Sequence, residues 1–145
     1  MTDSPDALTE PTVPRLGLSP AAIVAIALGG ALGTVARFLL DTAFTERPGH
    51  FPIVTLVINL SGSLAIGFLV PLVDKVAPRA PLVRLFLILG VLGGWTTYST
   101  FAVAAVTLIK DGHAGTSLAY LAATLVGGLA LVLVGHGAGR RMVTS

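Results

Sequence analysis

Residues 82–109 read LVRLFLILGVLGGWTTYSTFAVAAVTLI, a stretch apolar enough to cross a bilayer but interrupted at its centre by Gly90, Gly93 and Gly94 and then by Thr96, Thr97, Ser99 and Thr100. Trp95, Tyr98 and Phe101 are interleaved with these hydroxyl residues. Glycine and β-branched residues are weak helix formers, and hydroxyl side chains compete with the helix for backbone partners. The stretch therefore predicts a membrane helix that breaks near mid-bilayer.

The sequence on either side supports this reading. Of 145 residues, 54% are hydrophobic and 11% charged, with a mean hydropathy of +0.89, which places the chain outside the ordinary soluble class. A helix needs about 20 mainly apolar residues to cross a bilayer, since lipid offers no partner for backbone groups. Four stretches qualify, at 20–44, 53–73, 82–109 and 116–138. The short polar links between them require successive helices to run antiparallel and pack together. The predicted fold class is an all-α membrane protein, with four transmembrane helices in each subunit and a broken third helix. Residues 19–141 form one four-span domain. Residues 1–18 carry Asp3, Asp6 and Glu10 among prolines, without the basic start, apolar centre or cleavage site of a signal peptide, and read as a disordered aqueous tail.

In the first span Gly29 and Gly33 stand four apart beside Gly30, a spacing that lets a neighbouring backbone come close. Arg37 near its end is either a snorkelling anchor or a residue at an ion entrance. In the second span Thr55 and Asn59 lie four apart on one face, and an amide at that depth must face protein or water. Tyr120 and Thr124 repeat the spacing in the fourth span.

Several function classes are disfavoured. No Asp or Glu lies well inside a span, Asp41 and Asp74 falling at span ends, so the carboxylate that a proton-coupled exporter needs is missing. There is no cysteine, and His50, His113 and His136 have no carboxylate or thiol partner in a recognisable spacing, so the chain does not read as an enzyme. Scattered basic residues make no nucleic-acid surface. What the spans offer is a set of neutral donors: the Asn59 amide and the hydroxyls of Thr55, Thr96, Thr97, Ser99, Thr100, Thr124, Tyr98 and Tyr120. Donors without fixed negative charge suit a dehydrated anion, and the positive edges of the Tyr98 and Phe101 rings add to them. A helix break also exposes carbonyl oxygens, those near Gly93 and Thr96, to a hard cation such as Na⁺.

Three blocks, GGALGTVARF at 29–38, TLVINLSGSLAIGF at 55–68 and GGWTTYSTF at 93–101, resemble the small fluoride channels of the Fluc or CrcB family. The resemblance covers nearly the whole chain beyond the tail. It implies a homodimer of antiparallel subunits in the cell membrane, with two pores through which fluoride leaves the cytoplasm passively. It also implies a structural Na⁺ at the dimer centre, held by the carbonyls of Gly93 and Thr96. Asn59, Tyr98 and Phe101 match the family's pore residues, and Thr55, Tyr120 and Thr124 its polar track, with Ser99 placed in the same pathway. Arg37 matches a basic vestibule residue. Tyr98 stands where a phenylalanine is usual, and Gly128 where some relatives carry a hydroxyl.

Positive residues number six on the side of the termini (Arg15, Lys75, Arg79, Arg84, Arg140, Arg141) against three opposite (Arg37, Arg47, Lys110). This modest excess favours cytoplasmic termini and allows insertion in both orientations. A dual-topology homodimer is expected first, and a fixed subunit paired with a homologous chain second. A non-conducting assembly protein and a cation-coupled exporter are the alternatives from other classes.

Overall fold

The computed structural model describes residues 19–44, 46 and 49–144. The tail expected over residues 1–18, with Arg15 and also Arg47, lies outside the described residues. Four helices are long and apolar enough to span a membrane, Pro20–Ala43, Ile53–Val76, Pro81–Lys110 and Ala114–Thr144, and no strand occurs among the described residues.

Helix α1 (Pro20–Ala43) starts where Pro20 supplies a preset φ and the Ser19 hydroxyl accepts the Ala22 N–H at 3.2 Å. Helix α2 (Ile53–Val76) begins after Pro52, which has no side chain with which to cap. The third span comes in two pieces. Its first, α3, runs on through Pro81–Arg84, a π-helical stretch Leu85–Leu92 and Gly93–Trp95; its second, α4, is Tyr98–Lys110. Between them Thr96 and Thr97 are extended, with ψ of 155° and 120°. Helix α5 (Ala114–Thr144) has 31 residues, about 46 Å at 1.5 Å per residue, and so outruns the span expected at 116–138. Its last turn carries Arg141, a charge that belongs in water. Lys75, near the end of α2, donates to the Val143 carbonyl, tying the two helix ends together. The turn between α4 and α5 is made by Gly112, whose φ of 82° favours glycine.

The helices associate in two glycine-lined pairs. In α1 against α3, a Cβ on Gly33 would lie 2.8 Å from the Trp95 nitrogen and closer still to the Val91 carbonyl, while one on Gly90 would lie 2.8 Å from the Gly29 Cα. In α2 against α5, Gly67 faces the Val132 carbonyl and Gly135 the Leu64 carbonyl. Lipid is as apolar as leucine, so association in a bilayer rests on this close backbone packing. The expected packing role of Gly29 and Gly33 is therefore seen. The α4–α5 contact is smaller and includes the Ser117 hydroxyl donating to the Ala105 carbonyl at 2.9 Å.

Little of the apolar surface is internal. The most apolar window of α1 is only 11% buried, and Leu28, Leu32, Val35 and Phe38 point outward. That surface is compatible with hydrocarbon alone or with another membrane protein. Gly33→Ala is expected to push α1 off α3 and lower stability by about 1–3 kcal/mol, as overpacking does. Gly137→Ala, where a Cβ meets nothing within 4 Å, is the matched control and is expected to leave the thermal midpoint in detergent unchanged.

Candidate functional site

The break in the third span is held by side chains from two other helices, Asn59 first. Asn59, from the second turn of α2, accepts the Thr97 N–H on Oδ1 at 2.9 Å and donates Nδ2 to the Thr97 carbonyl at 3.0 Å. This two-way contact reproduces on a side chain what a β-ladder gives a backbone. Both polar groups of an extended residue at mid-membrane are thereby satisfied, where each would otherwise cost several kcal/mol.

The hydroxyls around the break complete its two ends. Thr97 Oγ1 accepts the Thr100 N–H at 3.1 Å and so caps α4, with the Thr100 and Ser99 hydroxyls at 3.0 and 3.3 Å from it. The Thr96 hydroxyl donates to the Leu92 carbonyl at 2.9 Å, closing the end of α3. Arg37 donates Nε to the Gly94 carbonyl at 3.2 Å and pairs through Nη1 with Asp41 at 3.4 Å. A cation at the carbonyl end of a half-helix is favourable for its dipole. Arg37 thus binds the backbone at the break.

Two carbonyls lose their helical partners as a result. The usual partner of Gly93 C=O, the Thr97 N–H, goes to Asn59, and the usual partner of Thr96 C=O, the Thr100 N–H, goes to the Thr97 hydroxyl. A Cβ on Gly93 would meet nothing within 4 Å, so the backbone there is open. These freed oxygens suit a hard cation. Among the described residues no group of three or more His, Asp or Glu side chains could hold a metal.

Beside the break lies an open groove of about 410 Å³, lined among others by Asn59, Thr96, Thr97, Tyr98, Phe101 and Thr124. Asn59 has a second Nδ2 hydrogen beyond the one given to Thr97. Tyr98 stands out from the protein at 81% exposure, and its hydroxyl makes no contact that would hold it inward. The Thr124 hydroxyl donates to the Tyr120 carbonyl at 2.9 Å, back into its own helix.

From Tyr98 a ladder of rings leads toward the α1–α2 link. Its ring centroid is 6.0 Å from that of Phe101, which is 5.4 Å from Tyr120, which in turn meets Phe51 edge-to-face at 5.7 Å. Phe101, Ala105 and Tyr120 form the buried core on this side. Tyr120 is wholly buried, and its hydroxyl lies within reach of the Thr55 side chain without completing a hydrogen bond, in the field of the Glu46 charge.

The residues singled out in the sequence thus fall into three places. Asn59, Tyr98, Phe101 and Thr124 share the groove with Gly93 and Thr96; Thr55 and Tyr120 sit together at the far end of the ladder; Arg37 and Ser99 stand outside the groove, on the break. Reading the sequence missed Glu46. Its carboxylate accepts the Thr55 N–H at 2.9 Å and lies 3.4 Å from the Thr55 hydroxyl, capping a helix whose own N-cap is a proline. Pro52 was the available signal, since a helix starting on proline leaves its first N–H groups to be satisfied from elsewhere.

Residues 24–136 match the family described as CrcB-like protein, Camphor Resistance (CrcB). The chain belongs to the CrcB family. Curated relatives agree over most of their length. A fluoride-specific ion channel FluC 2 of Nocardia farcinica is 43% identical over 123 residues, 85% of this chain and 88% of that protein. Fluoride-specific ion channels FluC of Agrobacterium fabrum and Chloroflexus aurantiacus are 42% and 40% identical, covering 83% and 81% of this chain and 97% and 94% of their own. CrcB membership accords with a multi-pass membrane protein that is not an enzyme, and all three blocks quoted above lie within the matched residues.

Asn59→Leu keeps the volume and removes both bonds to Thr97. With two backbone groups left unpaired at about 1–3 kcal/mol each, it is expected to lower the thermal midpoint in detergent clearly. Asn59→Asp retains the acceptor for the Thr97 N–H and should fall between that variant and the wild type.

Proposed function

We propose that the protein is a fluoride-selective channel that lets fluoride leave the cytoplasm passively across the cell membrane. The observation that carries this is the groove at the break, where amide, hydroxyl and aromatic-edge donors meet with no carboxylate among the lining residues. The names of the relatives point to the same ion. Fluoride is small and strongly hydrated, so a path must replace its water with donors at close quarters. The free Asn59 N–H and the edges of Tyr98 and Phe101 supply them without a repelling charge. From there the ring ladder leads to Thr55 and Tyr120. Thr124 can turn its hydroxyl from its own helix toward the groove, while Ser99 and Arg37 serve by holding the break.

The groove is open along one side and Tyr98 is almost fully exposed, which favours a second copy completing the path. An antiparallel dimer, with each path lined by both subunits, fits this; a homologous partner chain would fill the same place. Gly93 and Thr96 would hold a Na⁺ through their freed carbonyls. Such an ion would supply a fixed positive charge and join the two breaks.

Purified protein in liposomes is expected to release fluoride and retain chloride, read with ion-selective electrodes. Equal passage of the two ions, or of neither, overturns the proposal. Phe101→Ile should slow fluoride release, and a wild-type rate in that variant would place the path elsewhere.

A further inference from the structure

We propose that Glu46 is an internal competitor for the transported anion, its carboxylate occupying the donor site at the end of the ring ladder that fluoride must use to pass. The inference rests on the channel reading above and adds a residue that tunes it.

Three donors converge at this end of the molecule. The Thr55 N–H belongs to the first turn of α2, where the helix dipole favours negative charge. The Thr55 hydroxyl lies beside it, and Thr55 is only 1% exposed. The third is the wholly buried Tyr120 hydroxyl, which lies within reach of the Thr55 side chain, and within the field of the Glu46 charge, yet completes no hydrogen bond in this geometry. A buried phenol without a partner is uncommon, because its desolvation is left uncompensated. Its position marks a place for one more acceptor. Tyr120 is also the ring on which the ladder from the groove arrives, 5.4 Å from Phe101.

Into this donor set the α1–α2 link inserts one carboxylate, with Oε1 2.9 Å from the Thr55 nitrogen and Oε2 3.4 Å from the Thr55 hydroxyl. A carboxylate oxygen and a fluoride ion ask the same thing of a site: hard, negatively charged acceptors that bind N–H and O–H donors. Because Glu46 is tethered nine residues from Thr55, it competes at a high effective concentration. An anion arriving at Tyr120 must therefore displace the carboxylate, or share the donors with it against charge repulsion.

Glu46→Gln keeps an acceptor for the Thr55 N–H and removes the charge; Glu46→Ala removes both. In fluoride efflux from proteoliposomes over a range of internal fluoride, both are expected to lower the half-saturating concentration by about tenfold, the size of effect that a neighbouring like charge exerts. Thr55→Val, combined with either, is expected to reduce that gain, since the contested hydroxyl is gone while the backbone N–H remains. Thermal midpoints separate this from a capping role: Glu46→Gln should melt with the wild type and still show the lower half-saturation. Wild-type half-saturation in Glu46→Gln, or a slower flux at all concentrations, would overturn the inference while leaving the channel intact. Failure of the channel reading shows differently, as no fluoride flux in the wild type and in both variants, and it overturns both. Flux in the variants with a silent wild type would support both.

Discussion

The pair of hydrogen bonds between the Asn59 amide and the backbone of Thr97 is the constraint on which the rest of this structure depends. An extended residue at mid-membrane exposes an N–H and a C=O where neither water nor a neighbouring turn can take them. One primary amide has the matching donor and acceptor. With Asn59 in place the third span can stop as a helix at Trp95 and resume at Tyr98, so the Thr97 hydroxyl is free to cap the second half and Gly93 and Thr96 are left with free carbonyls. Arg37 adds charge to the same point, taking the Gly94 carbonyl. The break is thus over-determined from two other helices, which is what keeps an irregular backbone in one conformation.

Glycine packing and the break divide the work of the fold between them. Close approach of α1 to α3 and of α2 to α5 sets glycines against the backbone of the facing helix and leaves no room for a side chain between them. The break then lies where the two pairs meet, between α3 and α2, so the groove forms at their junction. Helix α5 contributes only Thr124 and Leu125 to that groove, and its longer polar reach goes instead to Tyr120, on the side of the α1–α2 link. Two chemically different ends follow: an open, uncharged groove at the centre and a closed, buried donor cluster with one carboxylate toward the aqueous face.

Much of this could be read in the sequence. Four apolar runs of bilayer length, the glycine spacing at Gly29 and Gly33, and the weak helix formers at 93–97 are all local patterns; the structure keeps Gly93–Trp95 helical and interrupts the span at Thr96 and Thr97. The requirement that Asn59 face something polar was equally legible, since an amide in hydrocarbon has to be satisfied. Its partner was not. Asn59 and Thr97 stand 38 residues apart on different helices, and only the register of α2 against the break brings them together. The same holds for Arg37, which reads as an anchor or as a residue at an ion entrance and whose Nε lies on a carbonyl 57 residues away.

By itself, then, the sequence determined the class of solvent, the number of spans and the site of the interruption, because hydropathy and helix propensity act over a few neighbouring residues. Tertiary structure alone decided which side chains the interruption consumes and which it leaves for an ion. It set the Ser99 hydroxyl beside that of Thr97 and Arg37 on the Gly94 carbonyl, put Tyr98, Phe101 and Tyr120 in one ladder, and laid the Glu46 carboxylate on Thr55. The physical reason is that a hydrogen bond is settled by distance and angle within tenths of an ångström, and those are fixed only when helices distant in the chain have packed.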